Sequence, residues 1–411
     1  MKKLLTSVFV IFMVFSLIGG AVGCKGSSSS TTGSASKEAT ILVGVDTPMT
    51  GPAAGYGLAV LHGVQLAADD FNAAGGVTVG NTHYTITLKT LDNKWDDATS
   101  NDDVRQLIYQ DGVRYLFLFE SDTPVSMAPL MSQQKVINFA SVANDAVIKQ
   151  PTNSYTFRTV IPMGLKATPY FNWIKKQYPN VKSVAEISQN NSNGQYANQV
   201  CDLGAKAVGW TTTDDILFDG GTTDFQPLLT KVLAKNPDII NMSGGIATGD
   251  VALIIKQARG LGYKGLISDA AMASATDMLP IAGKEALEGV LTTNMAMEAP
   301  MVGQKVLDLP AREVAKWGQA YGVTWDFYSQ AAVLFTAIAR AKNADSTVVR
   351  DMLADNTQSW PYPATNGGSA TFGSSAAKAL YGADANHQML NSFIFGIIKN
   401  GVDTNAALIN P

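Results

Sequence analysis

Histidine and cysteine are scarce in this chain, with three of the first and two of the second among 411 residues. His62, His83 and His387 lie far apart and far from either cysteine, so no zinc-ligand spacing can be read. Two cysteines cannot build a disulfide framework, and Cys201, in a stretch with helical spacing (197–206), is expected to pack as a small buried hydrophobe. Charge is sparse as well, at 16% of residues with a net −4, and no run of Lys or Arg follows the first residues. That balance argues against nucleic acid, whose phosphates require clustered basic side chains. The short motifs of common catalysts are also missing. The early glycines Gly51, Gly55 and Gly57 are spaced G-x3-G-x-G rather than G-x-G-x-x-G, no Walker lysine follows a loop, and no G-x-S-x-G elbow occurs. The chain is therefore expected to be no enzyme and to carry no cofactor or metal.

What is present begins with an address. Met1-Lys2-Lys3 is basic, and 4–18 is apolar apart from Thr6, Ser7 and Ser16, a length that suits a signal peptide and falls short of a comfortable membrane span. The small residues that follow, Gly19-Gly20-Ala21-Val22-Gly23-Cys24, resemble a bacterial lipobox, with Ala21 standing where Leu is usual. The resemblance implies removal of 1–23 and lipidation of Cys24, which then holds the protein to a membrane without spanning it; the alternative is a plain secretory signal with an incidental cysteine. Ser, Thr, Gly and Ala dominate 25–37, too polar and small to bury a core, so 24–39 is assigned as a flexible tether. Without Lys2 and Lys3 the chain keeps 28 basic against 34 acidic side chains, a formal charge of −6.

From residue 40 onward, short β-rich runs alternate with amphipathic stretches. Strands are expected at 40–45, 84–91, 115–119, 136–139, 183–187, 239–242, 265–267 and 289–293, and helices at 56–74, 98–111, 168–178, 195–209, 225–236 and 250–261. Gly75-Gly76 supplies a left-handed stop to the first helix, Asp224 an N-cap, and Asn236-Pro237-Asp238 a turn. Regular β-α alternation implies parallel, doubly wound α/β sheets. The rhythm occurs twice, around 40–160 and 163–293, which suggests two similar lobes.

Thr47-Pro48-Met49-Thr50-Gly51-Pro52-Ala53-Ala54-Gly55-Tyr56-Gly57 is similar to the first strand-to-helix loop of the branched-chain amino acid binding proteins, the type I periplasmic binding family. Asp70-Phe71-Asn72-Ala73-Ala74-Gly75-Gly76-Val77 resembles that family's D-I-N-A-x-G-G-I. Leu91-Asp92, Asp111-Gly112-Val113, Phe157-Arg158-Thr159, Asp224-Phe225 and Gln257-Ala258-Arg259-Gly260-Leu261-Gly262 follow in the family's order over nearly the whole body. The resemblance implies two Rossmann-like lobes joined by a three-strand hinge, with crossings expected near Pro162, Met295 and Gly367. Lobe 1 would then be 40–161 with 296–366, and lobe 2 would be 162–295 with 367–411. It further implies a monomeric solute receptor of an ABC importer. Its ligand, a small polar solute, would sit between the lobes and be captured by hinge closure, and the importer's membrane subunits would be the partner. A ligand sensor that presents its closed form to a separate receptor is the alternative.

Carried over residue by residue, the family's pocket falls on Tyr56, Ser121, Asp122, Thr123, Val142, Asn144, Asn193, Ile246, Asp269 and Tyr328. Asp122 stands where the relatives place a serine against the ligand carboxylate, and an ionised Asp there repels a carboxylate. The relatives' ammonium-binding acid falls at or near Ala271, with Asp269 two residues earlier, and their second-lobe aromatic falls at Asn193 in a run of amides. The substitutions point away from a simple α-amino acid, toward a neutral polyfunctional or cationic solute. Plainer roles stay open: Asp122 or Asn144 capping a helix, 190–193 forming a polar turn, Arg158 serving as an ion-pair partner, Tyr328 packing.

Overall fold

The computed structural model describes residues 37–120, 122–149, 155–296, 302–364, 368–391 and 393–409, and the expected signal segment, Cys24 and Ser121 lie outside them. β1 (Lys37–Thr47) starts exposed and turns fully buried at its carboxyl half, as a strand entering the middle of a sheet does. It runs parallel to both β3 (Thr82–Asp92) and β4 (Tyr115–Leu118), with Val43 opposite Leu88 and Tyr115. β2 (Val77–Val79), β5 (Ile137–Ala140) and β6 (Thr156–Phe157) complete a six-stranded sheet in the order β2-β3-β1-β4-β5-β6. The chain winds outward from β1 in both directions, so a crevice opens at the carboxyl ends of β1 and β4.

The second sheet repeats the device. β7 (Ser183–Gln189), β8 (Thr211–Phe218), β9 (Ile239–Met242), β10 (Leu266–Asp269) and β11 (Leu291–Thr292) are parallel. A two-stranded ribbon, β12 (Trp360–Pro361) with β13 (Ser369–Ala370), stands apart. Then β14 (Phe393–Lys399) and β15 (Val402–Ile409) return antiparallel, giving the order β15-β14-β11-β10-β9-β7-β8. Each sheet is thus parallel at its centre with an antiparallel edge. Helices cover both faces of the two sheets. Ala54–Ala73 and Thr324–Ala341 bury the first sheet's core around Phe117, Phe139 and Phe335, while Met163–Gln177 and Thr248–Gly260 lie on opposite faces of the second.

The chain leaves the first sheet through Pro162, the N-cap of Met163–Gln177, and returns after β11, since Met295 already belongs to the first core. The third crossing differs from the expectation near Gly367. Phe372 and Met389 pack into the first core with Phe139 and Phe157, and Arg158 bridges Gln388, so the chain passes to the second sheet only between Met389 and β14. Local apolar burial decides this: Phe372 and Met389 are fully buried there.

The Gly75-Gly76 stop acts as the sequence suggests, whereas Asp224 sits one residue before the N-cap position, which Phe225 holds. Gly75 and Gly76 take φ of +97° and +58°, and a Cβ on Gly76 would lie 2.2 Å from the Tyr84 carbonyl oxygen. The Asp224 carboxylate accepts the Gln226 N–H at 3.0 Å, although the helix begins only at Gln226. Cys201 is buried in an apolar core, and burial holds its thiol well above the ordinary range.

One buried carboxyl sets a stability prediction. Glu186, fully buried in β7, accepts from Asn241 Nδ2 at 2.6 Å and Ser243 Oγ at 2.5 Å, and burial pushes its pKa up to about 8. The folded state keeps a proton that the unfolded chain releases near its ordinary value, so stability falls as pH rises from there toward 8. Between pH 5 and 8 the wild-type melting temperature should drop more than that of Glu186→Gln, by roughly 5 °C. Parallel curves in a thermal-shift series would contradict this.

Candidate functional site

The loops at the carboxyl ends of the strands face one another across the gap between the sheets, and they are closed. Asp122, after β4, accepts the Ser192 N–H at 3.1 Å and the Ser192 hydroxyl. Ser192 opens the helix Ser192–Ala207 of the second lobe, whose first N–H groups have no partner within the helix. An anionic oxygen is favourable there. In return Asn193 Oδ1 accepts the N–H groups of Ala143 and Asn144, both at 3.0 Å, and Tyr196 donates to Asp145 at 2.7 Å. Tyr56 donates to the Ala271 carbonyl at 2.8 Å, Gly249 N–H to Pro52 O at 3.2 Å, and Trp95 Nε1 to Gln189 Oε1 at 3.3 Å. Gly57 makes the Tyr56 position possible, because a Cβ there would meet the Pro48 carbonyl oxygen at 1.8 Å.

Arg158 braces the first-lobe side. Its guanidinium is fully buried, pairs with Asp145 at 2.7 Å, takes Gln388 Oε1 at 2.5 Å and donates to the carbonyls of Ala143 and Asn144 at 3.2 and 3.0 Å. Burial works against ionising Asp145, but Arg158 prevails and holds that carboxyl below its usual range. Arg158 is the structural ion-pair partner among the two roles left open by the sequence.

Inside the closed gap is a cavity of about 100 Å³. Its first-lobe wall is aromatic: the Phe119 ring lies 5.6 Å from Tyr56, 5.4 Å from Trp95 and 5.7 Å from Phe327. Trp95 reaches it from a tight turn in which Lys94 and Trp95 both take positive φ (58° and 62°), with Asn93 Oδ1 accepting the Trp95 N–H. Met272, on the opposite wall, is held at φ 68°. Such left-handed side chains cost roughly 1–2 kcal/mol each and gather where function needs them. Val142, Asn193, Gly245, Ile246 and Ala271 also line it.

Besides Tyr56, two acids and a lysine line the cavity. Glu120 Oε2 accepts the N–H groups of Asp122 and Thr123 at 2.6 and 3.0 Å. Asp326 accepts from Tyr362 at 2.7 Å and Gln330 at 3.0 Å, and burial raises its pKa. Lys166 donates to Ala270 O at 2.9 Å and Thr293 Oγ1 at 3.2 Å. No group of three or more His, Cys, Asp or Glu among the described residues is placed to hold a metal ion.

Of the residues carried over from sequence, Tyr56, Val142, Asn193 and Ile246 meet at this cavity, and Ser121 lies outside the described residues. The others do not line it. Asp122 and Asn144 are occupied across the lobes by Ser192, and the Asp122 carboxylate caps a helix of the other lobe rather than the one that follows it. Thr123 is buried against Asp97 and Glu120. Asp269 stands behind the wall, its Oδ1 bonded to the Ala271 N–H at 2.9 Å. Tyr328 is buried in the first-lobe core away from the cavity and donates to Asp70 at 2.5 Å. Sequence reasoning missed Trp95, Phe119, Lys166, Met272, Asp326 and Phe327. For Trp95 a signal existed, a lone tryptophan between Asn93 and Asp96 in a loop at a strand's carboxyl end.

Two doubly wound lobes closed over one cavity agree with what the sequence matches. Residues 40–391 fit a single family model, described as periplasmic binding protein. The chain belongs to that family. This periplasmic binding protein is 25% identical over 315 residues to a Leu/Ile/Val-binding protein homolog of Brucella melitensis, covering 75% of this chain and 81% of the relative. Its fold matches a leucine-binding protein from Thermotoga maritima with a TM-score of 0.75 at 22% identity, over 90% of this chain and 99% of the other. A solute-binding protein from R. palustris in complex with 4-hydroxybenzoate gives 0.75 at 20% identity, over 90% and 97%.

If the cross-lobe bonds hold this periplasmic binding protein closed, Asp122→Ala combined with Asn193→Ala should give a larger radius of gyration by small-angle scattering than the wild type. The pair should also weaken capture of a bound solute by about tenfold, chiefly through faster release. An unchanged scattering profile would contradict the assignment.

Proposed function

We propose that this protein is a lipid-anchored, non-enzymatic receptor that captures one small molecule with an apolar or aromatic body and delivers it to an importer. The observation that carries the ligand reading is the wall formed by Tyr56, Trp95, Phe119 and Phe327 in a cavity that both lobes complete. Aromatic faces bury flat or branched hydrocarbon and orient it edge-on or offset, contributing about 0.5–1.5 kcal/mol per ring beyond area burial. The similar proteins named for leucine and for 4-hydroxybenzoate bind molecules of that kind, which supports the reading. Asp122, engaged by Ser192, gives no ground for a cationic ligand.

Capture works by differential contact. An open form exposes the aromatic wall and leaves the start of Ser192–Ala207 to water; closing over a guest restores both sets of contacts and sequesters the guest. The lobes proposed are 40–161 with 296–391 and 162–295 with 393–409, moving about the three crossings as a monomer. Their closed faces would dock on the importer's membrane subunits, while Cys24 carries the anchor and 25–37 the slack.

Two measurements check this. Protein purified without added solute, denatured and analysed by mass spectrometry, should release a small apolar-bodied compound, and Trp95→Ala should weaken its rebinding by ~10-fold or more. Release of a sugar or polyamine instead, or full affinity in Trp95→Ala, would contradict the ligand reading. Separately, Cys24→Ser should move the protein from the membrane fraction to the soluble extracytoplasmic fraction; retention in the membrane would contradict the anchor.

A further inference from the structure

Lys166 is the feature of the cavity that the aromatic wall does not explain. It sits in the first turn and a half of the helix Met163–Gln177, is 5% exposed, and lines the cavity beside Met163 and Ala270. An ammonium has three N–H donors, and two are used, on Ala270 O and Thr293 Oγ1. It takes part in none of the ion pairs among the described residues, so none of their carboxylate oxygens lies within 4.0 Å of Nζ. Asp269 attracts it at longer range, with its Oδ1 bonded to the Ala271 N–H. Both acids that line the same cavity are on the first lobe and already bonded: Glu120 to backbone N–H groups, Asp326 to Tyr362 and Gln330. The cavity is therefore polarised, with acceptors on the first lobe and a donor-bearing cation on the second. A buried cation with no carboxylate in direct contact, attracted only at longer range by Asp269, keeps part of its desolvation cost, and a guest that sets a carboxylate against it lowers that cost on closure.

Taking the interlobe cavity as the ligand site, we infer that it selects small carboxylates, with the ligand's carboxylate on the second lobe against Lys166 and its apolar body on the first-lobe aromatic wall. Amino acids and aromatic acids share that carboxylate, and the same geometry serves both. Lys166 acts only when the lobes are closed, since the helix that carries it meets the aromatic wall only across the gap. It thereby couples recognition of charge to closure.

Burial presses the Lys166 pKa down to about 8, with Asp269 and Cys201 acting in the opposite direction. A carboxylate docked beside it favours the protonated form. Above pH 8, where the free protein has released much of that proton, binding must take one up.

The test uses the full mature body with benzoate, 4-hydroxybenzoate, leucine and 4-methylpentanoate, each against its primary amide, by calorimetry and thermal shift. At least one acid should bind, its amide should bind about 30-fold more weakly, and Lys166→Met should reduce the acid to the amide's level while leaving the amide within about threefold. On wild-type protein alone, titrations at pH 8.5 in buffers of different ionisation heat should show uptake of roughly half a proton or more with the acid and none with the amide. This readout stands even if Lys166→Met does not fold. Equal binding of acid and amide, unchanged acid affinity in Lys166→Met, or acid binding with no proton uptake overturns the inference. A protein that takes amides but no acids keeps the aromatic cavity and loses the lysine's role. One that takes neither sinks both.

Discussion

The start of the helix Ser192–Ala207 is where the two lobes satisfy each other's backbone. A helix start leaves N–H groups without partners, and here the acceptor, Asp122, comes from the other lobe. Asn193, one residue on, returns an oxygen to the Ala143 and Asn144 N–H groups. Neither set of bonds exists unless the gap is shut, so the free energy of closing is built into the protein and a guest needs only to add to it. The cavity, its aromatic wall and the position of Lys166 all follow from that closed contact.

Behind the contact stand rigid supports. Arg158 spends its donors on Asp145, Gln388 and the carbonyls of 143–144, which fixes the loop that Asn193 meets. Its burial is tolerable because every direction it points in ends on an acceptor. Trp95 and Met272 are held in left-handed conformations on opposite walls, a local cost sustained by Asn93 and by the sheet ends around them. Lys135, Asn236, Lys342 and Asn400 take the same conformation elsewhere, but Trp95 and Met272 are the two whose side chains line the cavity.

Much of this was legible from the sequence, and the gaps have physical causes. Central strands such as Ile239–Met242 are short, fully buried and mostly apolar runs between turn signals and coincide with expectation, whereas Thr211–Phe218, at a sheet edge, opens with three Thr and two Asp that are partly or fully exposed and gives no such signal. Gly75-Gly76 foretold a left-handed stop because only glycine fits there. Tyr56 and Asn193 were found through family resemblance. Asp122 was flagged as unusual, but its partner is 70 residues away in the other lobe, and nothing local distinguishes an acid that meets a ligand from one that meets a helix. Lys166 was invisible for a related reason. It falls just before the helix expected at 168–178, where a lysine reads as solvated, and only the helix's earlier start at Met163 and the packing of Ala270 and Thr293 around its ammonium turn it inward.

Hydrogen–deuterium exchange, compared with and without the molecule that copurifies, examines closure about one guest most directly. Protection should rise together in both lobes, at 93–95 and 142–145 on one side and at 192–194 and 270–272 on the other, with little change at Tyr328, buried in the first-lobe core away from the cavity. Protection confined to one lobe, or centred on the outer surface, would mean that the guest does not bind by closing the gap.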